Sequence, residues 1–301
     1  MIKIRKNLIT ILLILILEIF ILLNPDILIR YSKDGLNLFI NKLFISLFPF
    51  FVLNKILIDY NLPYYISKLK TNSTTLSIII LSMLSGMPSN AEYIKDYLEN
   101  EIISLEEAEK LLIVTYFPSP VFVITVVGYL GFNSVFTGFI LLFIIYLTNL
   151  ILWALIKNNK RLKSNILYIK NNVNFIVSFK KAISSSLNSL MIILGNIIIF
   201  SILIGILNKF LNTNIYFESI LTSLLELSNG IKKISVIGTN FNIKFSLCLF
   251  ALIFSGLSIH SQVSSILSNY NINFLKIFLY RLVTSIFISC FSYIVLYFLN
   301  P

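Results

Sequence analysis

Two interruptions in otherwise apolar sequence gather the residues that are best suited to bind a polar solute. In each, an apolar run ends in Ser-Gly, a short polar turn follows, and a more polar helix is expected to resume. The start of a helix offers unpaired backbone N–H groups and a partial positive charge, which favour a carboxylate or another polar ligand atom. We therefore predict a solute site at the two interruptions, with these candidate residues: Ser85, Gly86, Pro88, Ser89, Asn90, Glu92, Ser255, Gly256, Ser258, His260 and Gln262.

Four further candidates lie in two other motifs. The stretch "FPSP" contributes Pro118 and Ser119, and the stretch "LLELSNG" contributes Glu226 and Asn229. Glu226 stands out because an ionisable group among apolar neighbours is costly unless it faces the protein interior or a partner. The alternative is that Glu226 is a cap or an interfacial residue at a helix end.

The other candidates also have structural interpretations. The prolines can kink helices, and Gly86 and Gly256 can allow helices to pack closely. His260 is the only histidine, and it either forms structural hydrogen bonds or relays protons. Most acidic residues between 92 and 109 are expected on a solvated helix face, which leaves Glu92 as the one nearest the interruption.

The composition indicates a polytopic membrane protein. Of 301 residues, 57% are hydrophobic and only 12% are charged, too few to cover a soluble globule. The net charge of +11 arises from basic residues between apolar runs, where they orient the chain in a bilayer, so nucleic-acid binding is not expected. Five apolar runs are long enough to be spans: 8–23, 36–58, 133–156, 183–208 and 272–299.

The sequence contains no recognisable catalytic set. A Ser/His/Asp group, a metal-ligand cluster, a Walker A loop and a dinucleotide fingerprint are all missing, and both cysteines lie inside apolar runs. We therefore predict neither an enzyme nor a bound cofactor or metal. Transport would be passive or coupled to an ion gradient, with Glu226, Glu92 and His260 as candidates for proton coupling.

An internal repeat relates the two interruptions. Residues 76–104 align with 246–274, which places Asn90 opposite His260. The spans before the two copies are expected to cross in opposite directions, so we predict an all-α protein with an inverted repeat of broken, re-entrant helices, an arrangement typical of transporters. The turns are expected at 86–90 and 256–260.

The charge distribution predicts the topology. Segment 157–181 carries seven basic residues and no acidic ones, so it is expected in the cytoplasm together with the N-terminus. We divide the chain into an N-terminal transmembrane helix at 1–30, a first repeat half at 31–156, a basic cytoplasmic loop at 157–182 and a second repeat half at 183–301.

Four motifs, in this order, carry a family resemblance: "SGMPSNAEYIKDYLENEIISLEEAEKLL", "FPSPVFVITVVG", "LLELSNGIKKIS" and "SGLSIHSQVSSIL". With them, the chain resembles the YlbJ-type sporulation integral membrane proteins of the nucleoside-recognition (Gate) group over residues 40–299. The family usually reads Ser-Gly-x-Pro-x-Gly-Ala-Lys at the first motif, whereas this chain has Asn90 in place of the second glycine and Glu92 in place of the lysine. Asparagines before the next proline are also replaced here by Tyr116 and Phe117.

The resemblance implies a protein of endospore formers that lies in the outer forespore membrane. It further implies transport of dipicolinic acid, a planar dianion that two helix N-termini would suit. The alternatives are a transporter for a nucleoside or another small solute, and a structural sporulation protein that transports nothing. The expected partners are the lipid bilayer and a small anionic solute, and association into a homo-oligomer stays open.

Overall fold

The computed structural model describes residues 2–69, 74–156, 174–210 and 214–299. Within these ranges every regular element is helical, which confirms the predicted all-α fold. The helices are α1 (Ile2–Leu23), α2 (Pro25–Leu38), α3 (Ile45–Asp59), α4 (Leu62–Leu69), α5 (Thr74–Ser85), α6 (Ser89–Glu99), α7 (Leu105–Val114), α8 (Val135–Ile156), α9 (Phe175–Phe210), α10 (Ile215–Leu225), α11 (Leu227–Val236), α12 (Phe241–Phe254), α13 (Gly256–Ile266) and α14 (Phe274–Leu299). Two π-helical segments, Phe39–Phe44 and Phe122–Gly131, join α2 to α3 and precede α8.

Five helical stretches in the described ranges are long and apolar enough to cross a bilayer, which confirms a polytopic membrane protein. They are Pro25–Asp59, Val135–Ile156, Phe175–Phe210, Phe241–Ile266 and Phe274–Leu299. Four of them correspond to predicted runs, and the fifth contains the second interruption. The predicted run at 8–23 is helical, but this apolar part of α1 is shorter than the five spans.

The helix boundaries differ from the predicted segment boundaries at the N-terminal end. Asn24 separates α1 from α2, so the predicted boundary at residue 30 falls inside α2. Most of the predicted basic loop, 157–173, lies outside the described residues, and α9 already begins at Phe175. The inverted relation between the two halves stays a prediction.

Helix α12 forms the centre of the bundle. Its side chains Leu249, Leu252 and Ile253 are fully buried, and it packs against α14, α11 and α8. On α14, in contrast, Phe287 and Phe291 are more than half exposed. The outer helices therefore present apolar surface to lipid, while α12 is enclosed by protein.

The first interruption folds against the "FPSP" stretch. Gly86 has a φ of +78°, and the backbone N–H of Met87 donates to the carbonyl of Phe117 at 2.9 Å. A Cβ added to Gly86 would lie 2.5 Å from the backbone nitrogen of Ser119. This approach is closer than any side chain allows, so glycine is required at this position.

The second interruption is shorter than predicted. Ser255 and Gly256 have φ values of +75° and +74°, and α13 begins at once, so the expected turn over 256–260 is wrong. Two successive left-handed residues break the helix without a longer loop. A Cβ on Gly256 would lie 3.0 Å from the backbone nitrogen of Leu227, so this break packs against the α10–α11 junction.

We predict that Gly86→Ala destabilises the protein by about 1–3 kcal/mol, because alanine combines a left-handed backbone with a clash against the backbone of Ser119. The measurement is the melting temperature of the purified protein in detergent, followed by size-exclusion chromatography after heating.

Gly195→Ala is the matched control, because no atom lies within 4 Å of the added Cβ in the middle of α9. Its melting temperature should equal or slightly exceed that of the wild type. Equal melting temperatures for the two variants would contradict the close packing of the first interruption.

Candidate functional site

A small cavity of about 60 Å³ lies where four chain interruptions meet. Two are the predicted breaks, and the others are the "FPSP" stretch and the α10–α11 junction. Each contributes residues to the wall: Met87, Pro88, Pro118, Ser119, Glu226, Ser228, Ser258 and Gln262. The structure thus brings together six of the predicted site residues, Pro88, Pro118, Ser119, Glu226, Ser258 and Gln262.

Two polar atoms in the cavity wall have no partner among the described residues. These are the hydroxyl of Ser258 and the side-chain carbonyl of Gln262, in residues that are 1% and 5% exposed. A buried polar group without a hydrogen bond costs roughly 1–3 kcal/mol. Both atoms are therefore available to a polar solute or to water that enters the cavity.

Glu226 both lines the cavity and caps α11. Its two carboxylate oxygens accept hydrogen bonds from the backbone N–H groups of Ser228 at 3.0 Å and Asn229 at 2.6 Å. The side chain is 2% exposed, and the described residues include no cation in an ion pair with it. Glu226 is therefore both a helix cap and an acid in the cavity wall, so its two interpretations do not exclude each other.

Several predicted residues lie beside the cavity and support its walls. The hydroxyls of Ser85 and Ser255 donate to carbonyls of their own helices, those of Leu81 at 2.8 Å and Leu252 at 3.0 Å. Ser89 is buried at the start of α6. These residues, together with Gly86 and Gly256, shape the breaks and do not line the cavity.

The side chain of Asn229 contacts α9. Its amide donates to the hydroxyl of Ser201 on α9 at 2.7 Å. It therefore ties the α10–α11 junction to α9 and is absent from the cavity wall.

Asn90 and His260, which the internal repeat places opposite each other, bond to consecutive residues after α7. The amide of Asn90 donates to the hydroxyl of Thr115 at 3.3 Å, and Nδ1 of His260 lies 3.2 Å from the hydroxyl of Tyr116. The other ring nitrogen of His260 lies 3.1 Å from the carbonyl of Phe254. Since a carbonyl only accepts, Nε2 carries the proton and Nδ1 accepts from Tyr116, which favours the structural alternative for His260.

Arg281 is a central residue that the sequence reasoning missed. It is fully buried in α14, and its guanidinium donates to the carbonyls of Ile253 at 3.0 Å and Tyr116 at 3.2 Å, and to the side-chain carbonyl of Asn149 at 2.7 Å. A further bond reaches the carbonyl of Ile113 at 3.3 Å. Arg281 thus binds carbonyls that have no helical partner where α7 and α12 end. A charged residue inside an apolar run was the sequence feature that could have indicated this role.

Glu92 lies outside the cavity, one helical turn further along α6. Its carboxylate lies 3.1 Å from the ammonium of Lys55 on α3, and both side chains are partly exposed, so the pair contributes only about 0–1 kcal/mol. Lys55 thus supplies a positive charge beside the position where the family usually has lysine. Burial, with the nearby Glu92 and Glu99, raises the pKa of Asp96, which lies outside the five spans.

The chain is similar to one curated protein over nearly its whole length. The sporulation integral membrane protein YlbJ of Bacillus subtilis (strain 168) is 25% identical in an alignment that covers 92% of this chain and 79% of that protein. No protein-family model matches the chain. No solved structure matches it.

We predict that Arg281→Met prevents stable folding, because the carbonyls of Ile113 and Ile253 and the side-chain oxygen of Asn149 lose a buried donor at roughly 1–3 kcal/mol each. Arg281→Lys should recover part of the stability, since an ammonium has three donors but not the geometry of the guanidinium. Thermal stability of the detergent-solubilised protein is the measurement.

Arg30→Met is the control, because Arg30 is exposed on α2. A melting temperature for Arg281→Met that matches this control would contradict the assigned role of Arg281.

Proposed function

Since the similarity to YlbJ supports membership of the YlbJ-type family of sporulation integral membrane proteins, we propose that this chain transports a small polar or anionic solute during endospore formation. Dipicolinic acid is the first candidate, and the outer forespore membrane is the proposed location. The proposal rests above all on the cavity at which four chain interruptions meet.

The cavity offers the groups that a carboxylate requires. The N-termini of α6 and α13 flank it, and the Ser258 hydroxyl can donate to a bound anion. The amide group of Gln262 adds a second polar contact. A planar dicarboxylate would place one carboxylate near each half-helix.

The size of the cavity implies a conformational change. A volume of about 60 Å³ holds a few water molecules, whereas pockets for small organic ligands measure about 300–1,000 Å³. Dipicolinate therefore enters only if the interruptions move apart. Broken helices suit this movement, because each half-helix can shift as a separate unit.

Glu226 is the group that could couple the proposed transport to the movement of a proton. It is the only ionisable side chain in the described cavity wall, and an ionised carboxylate would repel a bound dianion. Protonation of Glu226 removes this repulsion, so a proton would accompany the solute. The same carboxylate favours a neutral polar solute such as a nucleoside as the second candidate.

We predict that Ser258→Ala and Gln262→Met each lower the uptake efficiency about tenfold or more, because each removes a polar contact to the solute inside a buried site. Uptake of radiolabelled dipicolinate into proteoliposomes is the measurement, with labelled nucleosides in parallel. Ser261→Ala is the control, since Ser261 is exposed on the same helix and absent from the cavity wall.

Each outcome separates the candidate functions. Uptake of nucleoside without dipicolinate would select the second candidate. A folded wild-type protein that moves neither solute would remove the main support for transport and favour the structural alternative.

We predict that Glu226→Gln abolishes the stimulation of uptake by an imposed proton gradient, because glutamine keeps an acceptor for the α11 cap but cannot carry a proton. Initial uptake rates with and without the gradient are the measurement. Glu218→Gln is the control, because Glu218 lies on α10 and pairs with Lys233 outside the cavity. Equal stimulation in Glu226→Gln and wild type would exclude Glu226 as the proton carrier.

A further inference from the structure

A second, larger recess lies next to the cavity and is strongly polar. Its volume is about 470 Å³, within the range of sites for small organic molecules. Two lysines, two acids and several hydroxyl and amide groups line it: Lys55, Glu92, Lys95, Asp96, Ser185, Ser265, Ser268 and Asn269. The recess can therefore hold a solute that the closed cavity cannot.

Four helices contribute residues to both the cavity and the recess. On α6, Pro88 lines the cavity and Glu92 the recess, and on α13 Gln262 and Ile266 are divided in the same way. Residues four apart lie on one helix face about 6 Å apart along the axis. The recess is thus one helical turn from the cavity on both of these resuming half-helices.

On the other two helices, the cavity residue and the recess residue are about two helical turns apart. On α3, Leu47 lines the cavity and Lys55 the recess, and on α9 the corresponding residues are Ile193 and Ser185. Eight residues correspond to about 12 Å along a helix. All four helices therefore lead from the cavity towards the same end of the molecule.

The charges at that end indicate which side of the membrane it faces. Lys181, in the first turns of α9, lies 3.7 Å from Asp59 at the end of α3. Lys181 is the last basic residue of segment 157–181, which continues into the start of α9. By the positive-inside rule, the recess opens towards the cytoplasm.

We propose that this recess is the cytoplasmic docking site for a small dicarboxylate, in which the solute replaces Glu92 as the partner of Lys55. The proposal rests on the proposed transport function. Lys55 is the cation for this exchange, because its partner Glu92 lies on another helix, whereas Lys95 pairs with Glu99 on its own helix at 3.6 Å. The pair between Lys55 and Glu92 is partly exposed and so contributes little to stability, which allows a dianion to displace it.

Displacement of Glu92 also breaks the ion pair between α3 and α6. The pair joins α3 to α6, the half-helix that resumes after the first interruption. With the pair broken, α6 can move away from α3 and widen the path to the cavity. Docking and opening are then coupled through one charge exchange.

Kinetics of dipicolinate uptake into proteoliposomes test this proposal. Lys55→Met should raise KM about tenfold with little change in the maximal rate, whereas Lys55→Arg should stay near wild type. Glu92→Gln should lower KM, because Lys55 then has no competing carboxylate. Lys276→Met is the matched control, since Lys276 pairs with Glu109 at 3.5 Å away from the recess. An unchanged KM in Lys55→Met would overturn the docking role.

Cysteine labelling tests the site without requiring transport. In a Cys290→Ser background, with Cys248 buried, Ser265→Cys should react with a membrane-impermeant maleimide from the cytoplasmic side, and dipicolinate should slow the reaction. Protection without uptake in wild type would retain the docking site and reject transport. Neither protection nor uptake would reject both, and uptake without protection would reject the docking site alone.

Discussion

The structure depends on one constraint: peptide groups that a broken helix leaves unpaired must find partners inside the protein, because hydrocarbon offers none. Each interruption meets this requirement with a nearby part of the chain. The N–H of Met87 binds the carbonyl of Phe117, and the N–H groups at the start of α11 bind Glu226. The carbonyls at the ends of α7 and α12 bind Arg281. The Met87–Phe117 bond thus joins the first break to the "FPSP" stretch, and Arg281 joins the end of α7 to the end of α12 at the second break.

This arrangement places two ionisable residues in the interior without pairing them with each other. Arg281 is surrounded by carbonyl oxygens, so its charge is stabilised by dipoles and it takes no part in the cavity wall. Glu226 is stabilised by the N-terminus of α11, yet one side of it faces the cavity. Arg281 therefore stabilises the fold, whereas Glu226 remains accessible from the cavity.

The same contacts separate an enclosed central helix from two half-helices at its edge. Helix α12 is enclosed on nearly every side and ends at the second break, where Arg281 holds its last carbonyls. Helices α6 and α13, in contrast, begin at breaks and carry polar residues from the cavity to the recess. A packed centre with two half-helices at its edge is compatible with the proposed transport, which requires the half-helices to shift without unfolding the core.

The sequence alone determined the membrane character, the helical class and the position of both Ser-Gly breaks, because apolar runs and Ser-Gly interruptions are local features. It also identified Glu226 as a cavity residue, since a buried acid in an apolar run needs a reason. Only the tertiary structure decided which residues after the second break face the cavity. Ser258 and Gln262 lie four apart on the cavity face of α13, whereas His260 between them points to Tyr116 and Phe254. Sequence spacing gives the relative angles of side chains on a helix, but the rotation of that helix against its neighbours depends on packing. The partners of Arg281 come from three distant segments for the same reason, because their meeting is a property of the assembled bundle.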